Sequence, residues 1–307
     1  MQYRKFGKLD WQGSALGFGC MRLPMLKDDS SKVDVPESIR MIRWAIDNGV
    51  NYIDTAYPYL GGQSEVIVGQ ALQDGYRERI KLATKSPVWK IEKPEDFHTL
   101  LDEQLAKLQT DHIDFYLLHA LDKARWDKLI EQNIFVEAEK ARAAGKIKYL
   151  GFSMHDSYEA FLEMVDGYDK WNFCQIQYNY SDENYQAGVR GLKYAAAKGL
   201  AVVIMEPLLG GKLVNPPAPV QTIWDEAETK RSAAEWGLQW LWNQPEVSVV
   251  LSGMSAMSHV EDNVFAANRS GVGTLTDAEM ALYERVRKTY DALIAIPCTK
   301  CEYCMPC

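Results

Sequence analysis

Several things are scarce in this chain, and each scarcity excludes something. No apolar run reaches the roughly 18 residues that a membrane-crossing helix needs. Positive charge is outnumbered, with 34 Lys and Arg against 42 Asp and Glu for a net charge of −8. A nucleic-acid surface or an anionic membrane is therefore a poor partner. Ahead of residue 298 the only cysteines are Cys20 and Cys174, expected as buried, inert thiols, so a disulfide framework is excluded. The opening MQYRKFGKLDW lacks the apolar core of a signal peptide. A GxGxxG turn is missing too: the first glycine-rich strand exit reads GFGCMRL, which argues against an open, doubly wound dinucleotide fold. What remains is an ordinary globular chain, expected in the cytoplasm.

What is present is alternation. A Gly-Lys turn inside MQYRKFGKLDW marks a small N-terminal hairpin. Eight strand-like runs follow: SALGFGC, then 50–54, 80–84, 113–118, 147–152, 173–177, 200–205 and 247–251. Each leads to a segment of helical spacing, near 35–48, 64–74, 95–108, 127–144, 156–166, 186–198, 228–243 and 257–268. Strands alternating with helices imply a parallel sheet, and eight such units imply closure into a (β/α)8 TIM barrel. Two segments lie outside the units. Residues 208–225 are rich in Gly and Pro and are expected as a long loop; 276–292 form a further amphipathic helix, capped by Thr274 or Thr276. Residues 1–292 make the barrel and 293–307 a cysteine-rich tail.

Three of the strand-like runs deliver an ionisable residue at or near the C-terminal end: Asp54 after VNYI, Lys85 in KLATK and His119 in IDFYLLH. That end of a parallel barrel is where catalytic groups sit. A buried carboxylate needs a partner, and Lys85 is the candidate for Asp54. Tyr59 follows five residues after Asp54 in a loop of Pro and Gly. A tyrosine hydroxyl near a lysine can give up its proton and leave a stabilised phenolate.

DTAYPY followed by Ser64-Glu65 and Gly69, with Lys85 and the histidine of YLLH, resembles the signature of the aldo-keto reductases, over about the first 290 residues. The resemblance implies a catalytic tetrad of Asp54, Tyr59, Lys85 and His119. It implies hydride transfer between a nicotinamide cofactor and an aldehyde or ketone, and a hairpin that closes the barrel bottom. It also implies a cofactor site for NADP(H) or NAD(H). Ser153 and Gln175 fall where the family holds the carboxamide, and Met205 where it stacks a ring on the nicotinamide. Residues 206–212, including Pro207, Leu208, Gly210 and Lys212, fall over the pyrophosphate. Gly253, Met254, Ser255, His259, Asp262 and Asn263 in SGMSAMSHVEDN fall on the adenosine site. Met154 stands where the family has Asn, with His155 beside it. Gly253 and His259 stand where members preferring NADPH carry cations, so discrimination between NADPH and NADH is expected to be modest. Trp89, Tyr57, Leu121 and Met21 are candidates to line the substrate pocket.

The tail reads CTKCEYCMPC, with Cys298, Cys301, Cys304 and Cys307 at intervals of three. Such clustering points to a metal, and the spacing to a [4Fe–4S] cluster of ferredoxin type, with zinc as the rival. The tail resembles the first half of a ferredoxin-like extension that some aldo-keto reductase-like proteins carry. It motivates a second functional class: an NADP(H)-binding redox sensor, or a protein that hands electrons to a partner through the cluster.

Overall fold

A computed structural model describes residues 1–293; the four tail cysteines lie outside the described residues. Strands β1 (Tyr3–Lys5) and β2 (Gln12–Ser14) pair antiparallel. The next eight strands are β3 (Leu16–Gly19), β4 (Tyr52–Asp54), β5 (Lys81–Ser86), β6 (Ile113–Leu121), β7 (Ile147–Met154), β8 (Phe173–Gln177), β9 (Ala201–Met205) and β10 (Val247–Gly253). Each pairs in parallel with the next, and β10 pairs with β3 to close the ring. The helices are α1 (Val35–Asp47), α2 (Gln63–Ala71), α3 (Asp96–Leu108), α4 (Lys123–Glu131), α5 (Ile134–Ala143), α6 (Tyr158–Asp166), α7 (Gly188–Ala197), α8 (Ala218–Asp225), α9 (Ala233–Trp242), α10 (Met257–Asn268) and α11 (Asp277–Leu293). Among the described residues no helix is long and apolar enough to cross a membrane.

The two-residue period of a strand sorts the core into two layers. Tyr52, Ala83, Phe115, Leu117, Phe173, Val203 and Val249 fill the lumen. Their neighbours Ile53, Leu82, Tyr116, Leu118, Phe152 and Ile204 pack outward against the helices. The hairpin plugs the lower mouth. The Phe6 ring lies 4.6 Å from that of Phe115 and 5.3 Å from that of Trp11. Its turn is pressed to the barrel: Lys8 N donates to Gly199 O at 3.0 Å. Gly7, at φ +54°, would carry a Cβ only 2.4 Å from Ala201 N, so only glycine fits.

Two expectations of helix and loop are corrected. The stretch 127–144, expected as one helix, is two, because Asn133 adopts φ +53° between α4 and α5; asparagine tolerates that conformation better than most residues. The 208–225 segment, expected as loop, ends in α8, with a proline in its first turn. Proline lacks only a hydrogen that the first turn leaves unbonded, so residues that signal a loop also start a helix. For α11 the cap is Thr276. Its Oγ1 accepts from Glu279 N at 3.2 Å while Glu279 Oε2 accepts from Thr276 N at 2.9 Å, a reciprocal capping box.

Candidate active site

The same alternation that places Tyr52, Ala83 and Leu117 in the lumen places Asp54, Lys85 and His119 two residues further along, one layer above the apolar plug. Lys85 has no solvent exposure and Asp54 only 2%. Lys85 Nζ donates to Asp54 Oδ1 at 2.6 Å and to the Thr55 carbonyl at 2.8 Å. Burial lowers the pKa of Lys85, but the Asp54 carboxylate and Tyr59 outweigh it and hold the ammonium above its ordinary value. Tyr59 opens a tight turn in which Leu60, Gly61 and Gly62 all have positive φ. The turn brings its ring within 5.0 Å of Lys85 Nζ and 6.0 Å of the His119 ring. Burial raises the Tyr59 hydroxyl above its usual range while Lys85 pulls it back. Burial, then the charge of Lys85, pushes His119 well below its ordinary value, so the imidazole is neutral. Its Nδ1 is buried with no partner.

The outward face of the same strands holds this layer in place. Thr84, between the two lumen residues Ala83 and Lys85, donates to Glu65 Oε1 at 2.7 Å. Gln104 Nε2 reaches both Glu65 (2.6 Å) and the Lys85 carbonyl (3.0 Å), and Tyr116 donates to Gln104 Oε1 at 2.7 Å. Ser64 Oγ lies 2.7 Å from Thr55 Oγ1 and donates to Cys20 O at 2.8 Å, tying the Tyr59 loop to the exit of β3. Cys20 and Cys174 are buried, free thiols.

Across the mouth lie the residues expected to meet the cofactor. Ser153 is 2% exposed and its Oγ accepts from Ala120 N at 2.8 Å. Gln175 Nε2 contacts Met205 Sδ at 3.6 Å, while its Oε1 is buried and unpartnered. Met154 points the other way: it is fully buried in the outer core, so its departure from asparagine costs the lumen no polar group. His155 is the next residue toward the mouth and is exposed. The turn after β9 is unusual in its backbone, with Glu206, Leu209, Gly210 and Gly211 all at positive φ. Pro207 is buried, and Leu208 packs against Gly237 of α9, anchoring the turn; Gly210 and Lys212 are exposed. Gly253, Ser255, His259 and Asp262 are exposed along the exit of β10 and the start of α10. Asn263 is buried and donates to Ser252 Oγ at 3.0 Å. No side chain caps α10, whose N-cap is Ala256.

Of the four pocket candidates, Trp89 is the one against His119, with ring centroids 5.3 Å apart. Leu121 is buried in the outer core, Met21 is exposed, and Tyr57 turns away to Glu103 at 3.1 Å. Sequence reasoning did not reach Arg125, whose guanidinium carbon stands 5.9 Å from the Trp89 ring centroid, nor the Thr55 carbonyl, Gln104 or Arg22.

Compared with known proteins, the chain matches the model of the aldo/keto reductase family over residues 15–288. It is 34% identical over 157 residues to a probable aldo-keto reductase 1 of Glycine max, a stretch covering 48% of this chain and 44% of that protein, so less than half of that relative is spanned. Over 301 residues, 87% of this chain and 92% of the relative, it is 29% identical to the uncharacterized oxidoreductase YqkF of Bacillus subtilis. Its fold superposes with a TM-score of 0.74, at 26% identity, on a crystal structure of an aldo/keto reductase from Klebsiella pneumoniae in complex with NADP and acetate, covering 93% and 95% of the two chains.

Proposed function

The chain belongs to the aldo/keto reductase family, and from that premise we propose that it reduces an aldehyde or ketone by hydride transfer from NADPH. One observation carries the reading: a fully buried Lys85–Asp54 pair, 2.6 Å apart, beside a tyrosine that keeps its proton and a histidine that is neutral. NADPH, when bound, supplies the hydride for the carbonyl carbon. The cofactor reading is supported by the unpartnered Oε1 of Gln175 near Ser153, an acceptor suited to a carboxamide N–H. It is also supported by the turn at 206–211, where Glu206, Leu209, Gly210 and Gly211 have positive φ and whose peptide groups suit a pyrophosphate, and by the NADP held in the Klebsiella relative. In this reading Met205 faces the nicotinamide, and Pro207, Leu208, Gly210 and Lys212 carry the turn over the pyrophosphate. Gly253, Ser255, His259, Asp262 and Asn263 form the adenosine end. Tyr59 donates the proton to the carbonyl oxygen, and Lys85, kept charged by Asp54, stabilises the phenolate left behind. Neutral His119 hydrogen-bonds the carbonyl oxygen and aligns it, and Trp89 walls the pocket. Steady-state oxidation of NADPH with a panel of aldehydes and ketones tests this. Turnover of at least one carbonyl is expected; silence across the panel with a protein that binds NADPH would overturn it.

A second reading rests on sequence alone. Among the described residues no group of three or more His, Cys, Asp or Glu could hold a metal ion, so a metal centre would belong to Cys298, Cys301, Cys304 and Cys307. Their spacing supports a [4Fe–4S] cluster, and with it a redox-sensing or electron-transfer role for the tail. Iron and sulfide after anaerobic reconstitution are expected. A stoichiometric, air-stable zinc would refute the cluster.

A further inference from the structure

Arg22 stands at the mouth of the barrel, three residues past the end of β3. It is exposed, and among the described residues it has no carboxylate or other hydrogen-bond partner. Most arginines here do have one: Arg77, Arg79, Arg231, Arg285 and Arg287 all pair with acids. The stem of Arg22 runs over Gly253 at the exit of β10. A Cβ built on Gly253 would meet Arg22 Cβ and Cδ at 3.5 Å and Cγ at 3.6 Å. Its head reaches the turn after β9, where a Cβ on Gly210 would lie 3.6 Å from Arg22 Nη2. The side chain therefore spans the gap between the two loops, with its charge beside the left-handed run of Leu209, Gly210 and Gly211. These separations are ordinary van der Waals contacts, so the Arg22 side chain lies against both glycines.

We propose that Arg22 is a cofactor-binding residue that clamps the pyrophosphate of the nicotinamide dinucleotide against the turn after β9. The proposal rests on the cofactor reading above. A guanidinium offers a planar pair of donors that suits two phosphate oxygens at once. The neighbouring turn contributes backbone peptide groups and the exposed Lys212, and Arg22 adds a second positive charge for the dianion, in a fork that a lysine lacks. The pyrophosphate is common to both dinucleotides, whereas the 2′-phosphate belongs to NADPH alone. The head lies at the β9 turn while only the stem passes Gly253, and this favours the pyrophosphate.

Quenching of tryptophan fluorescence by NADPH and by NADH, measured at several salt concentrations, tests the assignment without using turnover. Arg22→Ala should weaken both cofactors about ten- to a hundredfold, the worth of a charge-assisted contact, and flatten the salt dependence of binding. Arg22→Lys should recover part of the loss, because it keeps the charge but not the fork. Unchanged circular dichroism and melting of the variants would assign the loss to binding rather than folding. A loss confined to NADPH would overturn the pyrophosphate assignment, and unchanged affinity for both would overturn any contact. If the unmodified protein binds neither dinucleotide, the cofactor reading itself fails, and this clamp with it.

Discussion

A lysine with no exposure must have a reason to keep its proton, and Lys85 has two: the Asp54 carboxylate and the Thr55 carbonyl. Its raised pKa means that this charge is present at all pH values below the ordinary lysine range and is lost only as pH rises through its folded value. Tyr59, also raised, stays protonated over the same span. Tyr59→Phe removes the proposed donor without touching the cofactor cleft. Carbonyl reduction should fall by about two to four powers of ten while NADPH affinity stays within roughly twofold; near-normal turnover would remove Tyr59 from the mechanism. His119 has the opposite sign. Its folded pKa is depressed, so below about pH 6.5 the unfolded chain binds a proton that the barrel refuses, and stability falls with pH there. His119→Asn should remove that component. Urea midpoints at pH 6.5 and 5 should show a shallower acid loss in the variant, by at most about 1.4 kcal/mol per pH unit.

At the scale of elements, α11 is a separate addition to the barrel, held by its cap, an apolar seam and the ion pairs of Glu279, Arg285 and Arg287 with Arg231, Glu226 and Glu183. Tyr283 Oη donates to Trp236 O at 2.8 Å, and its ring lies 5.0 Å from Trp224, which stacks on Trp236 at 4.7 Å. The Thr276–Glu279 box sets where the helix begins. Thr276→Ala should cost about 0.5–2 kcal/mol, read from the denaturation midpoint, with NADPH affinity unaffected; a loss of affinity would tie α11 to the cleft. The break between α4 and α5 and the start of α8 teach a common lesson about elements. Apolar spacing revealed which residues were helical at 127–144, while a single left-handed Asn133 decided that there were two helices. Prolines at 216, 217 and 219 suggested a loop, while their place relative to Val220, Ile223 and Trp224, all buried, made a helix.

On the scale of the whole molecule, closure is what turns four scattered residues into a site. β10 pairs with β3, so Gly253 and Gly19 are adjacent across the seam, and the hairpin with Phe6 seals the far end. Asp54, Tyr59, Lys85 and His119 all lie inside this closed unit, and no reaction step proposed here draws on residues 294–307. Cys298→Ser should therefore leave NADPH-dependent carbonyl reduction within about twofold of the parent while abolishing or impairing any reconstituted cluster. A parallel collapse of carbonyl reduction would make the tail part of the catalytic unit.

The eight-unit architecture was legible in the sequence because it depends on local periodicity, and the same periodicity places Asp54, Lys85 and His119 at strand ends, whereas Tyr59, in a loop, was marked only by the DTAYPY resemblance. Period-two alternation marks lumen and outer faces, and a polar residue that ends an apolar strand has nowhere to go but the mouth. The same rule, applied one residue at a time, shows why Met154 is harmless: it falls on the outer face. Other features depend on which loops meet once the ring closes. Trp89 rather than Tyr57 or Met21 reaches His119 because the strand ends set the angle of each loop. The Thr55 carbonyl joins Asp54 on Lys85 because a backbone atom carries no sequence signal. Arg22 lies between Gly210 and Gly253, residues 188 and 231 positions away in the chain, and no spacing along a chain encodes that. Sequence determined the fold and the chemistry at each strand end; tertiary closure alone decided which loops share a cleft, because contacts between distant segments follow from barrel geometry and not from local pattern.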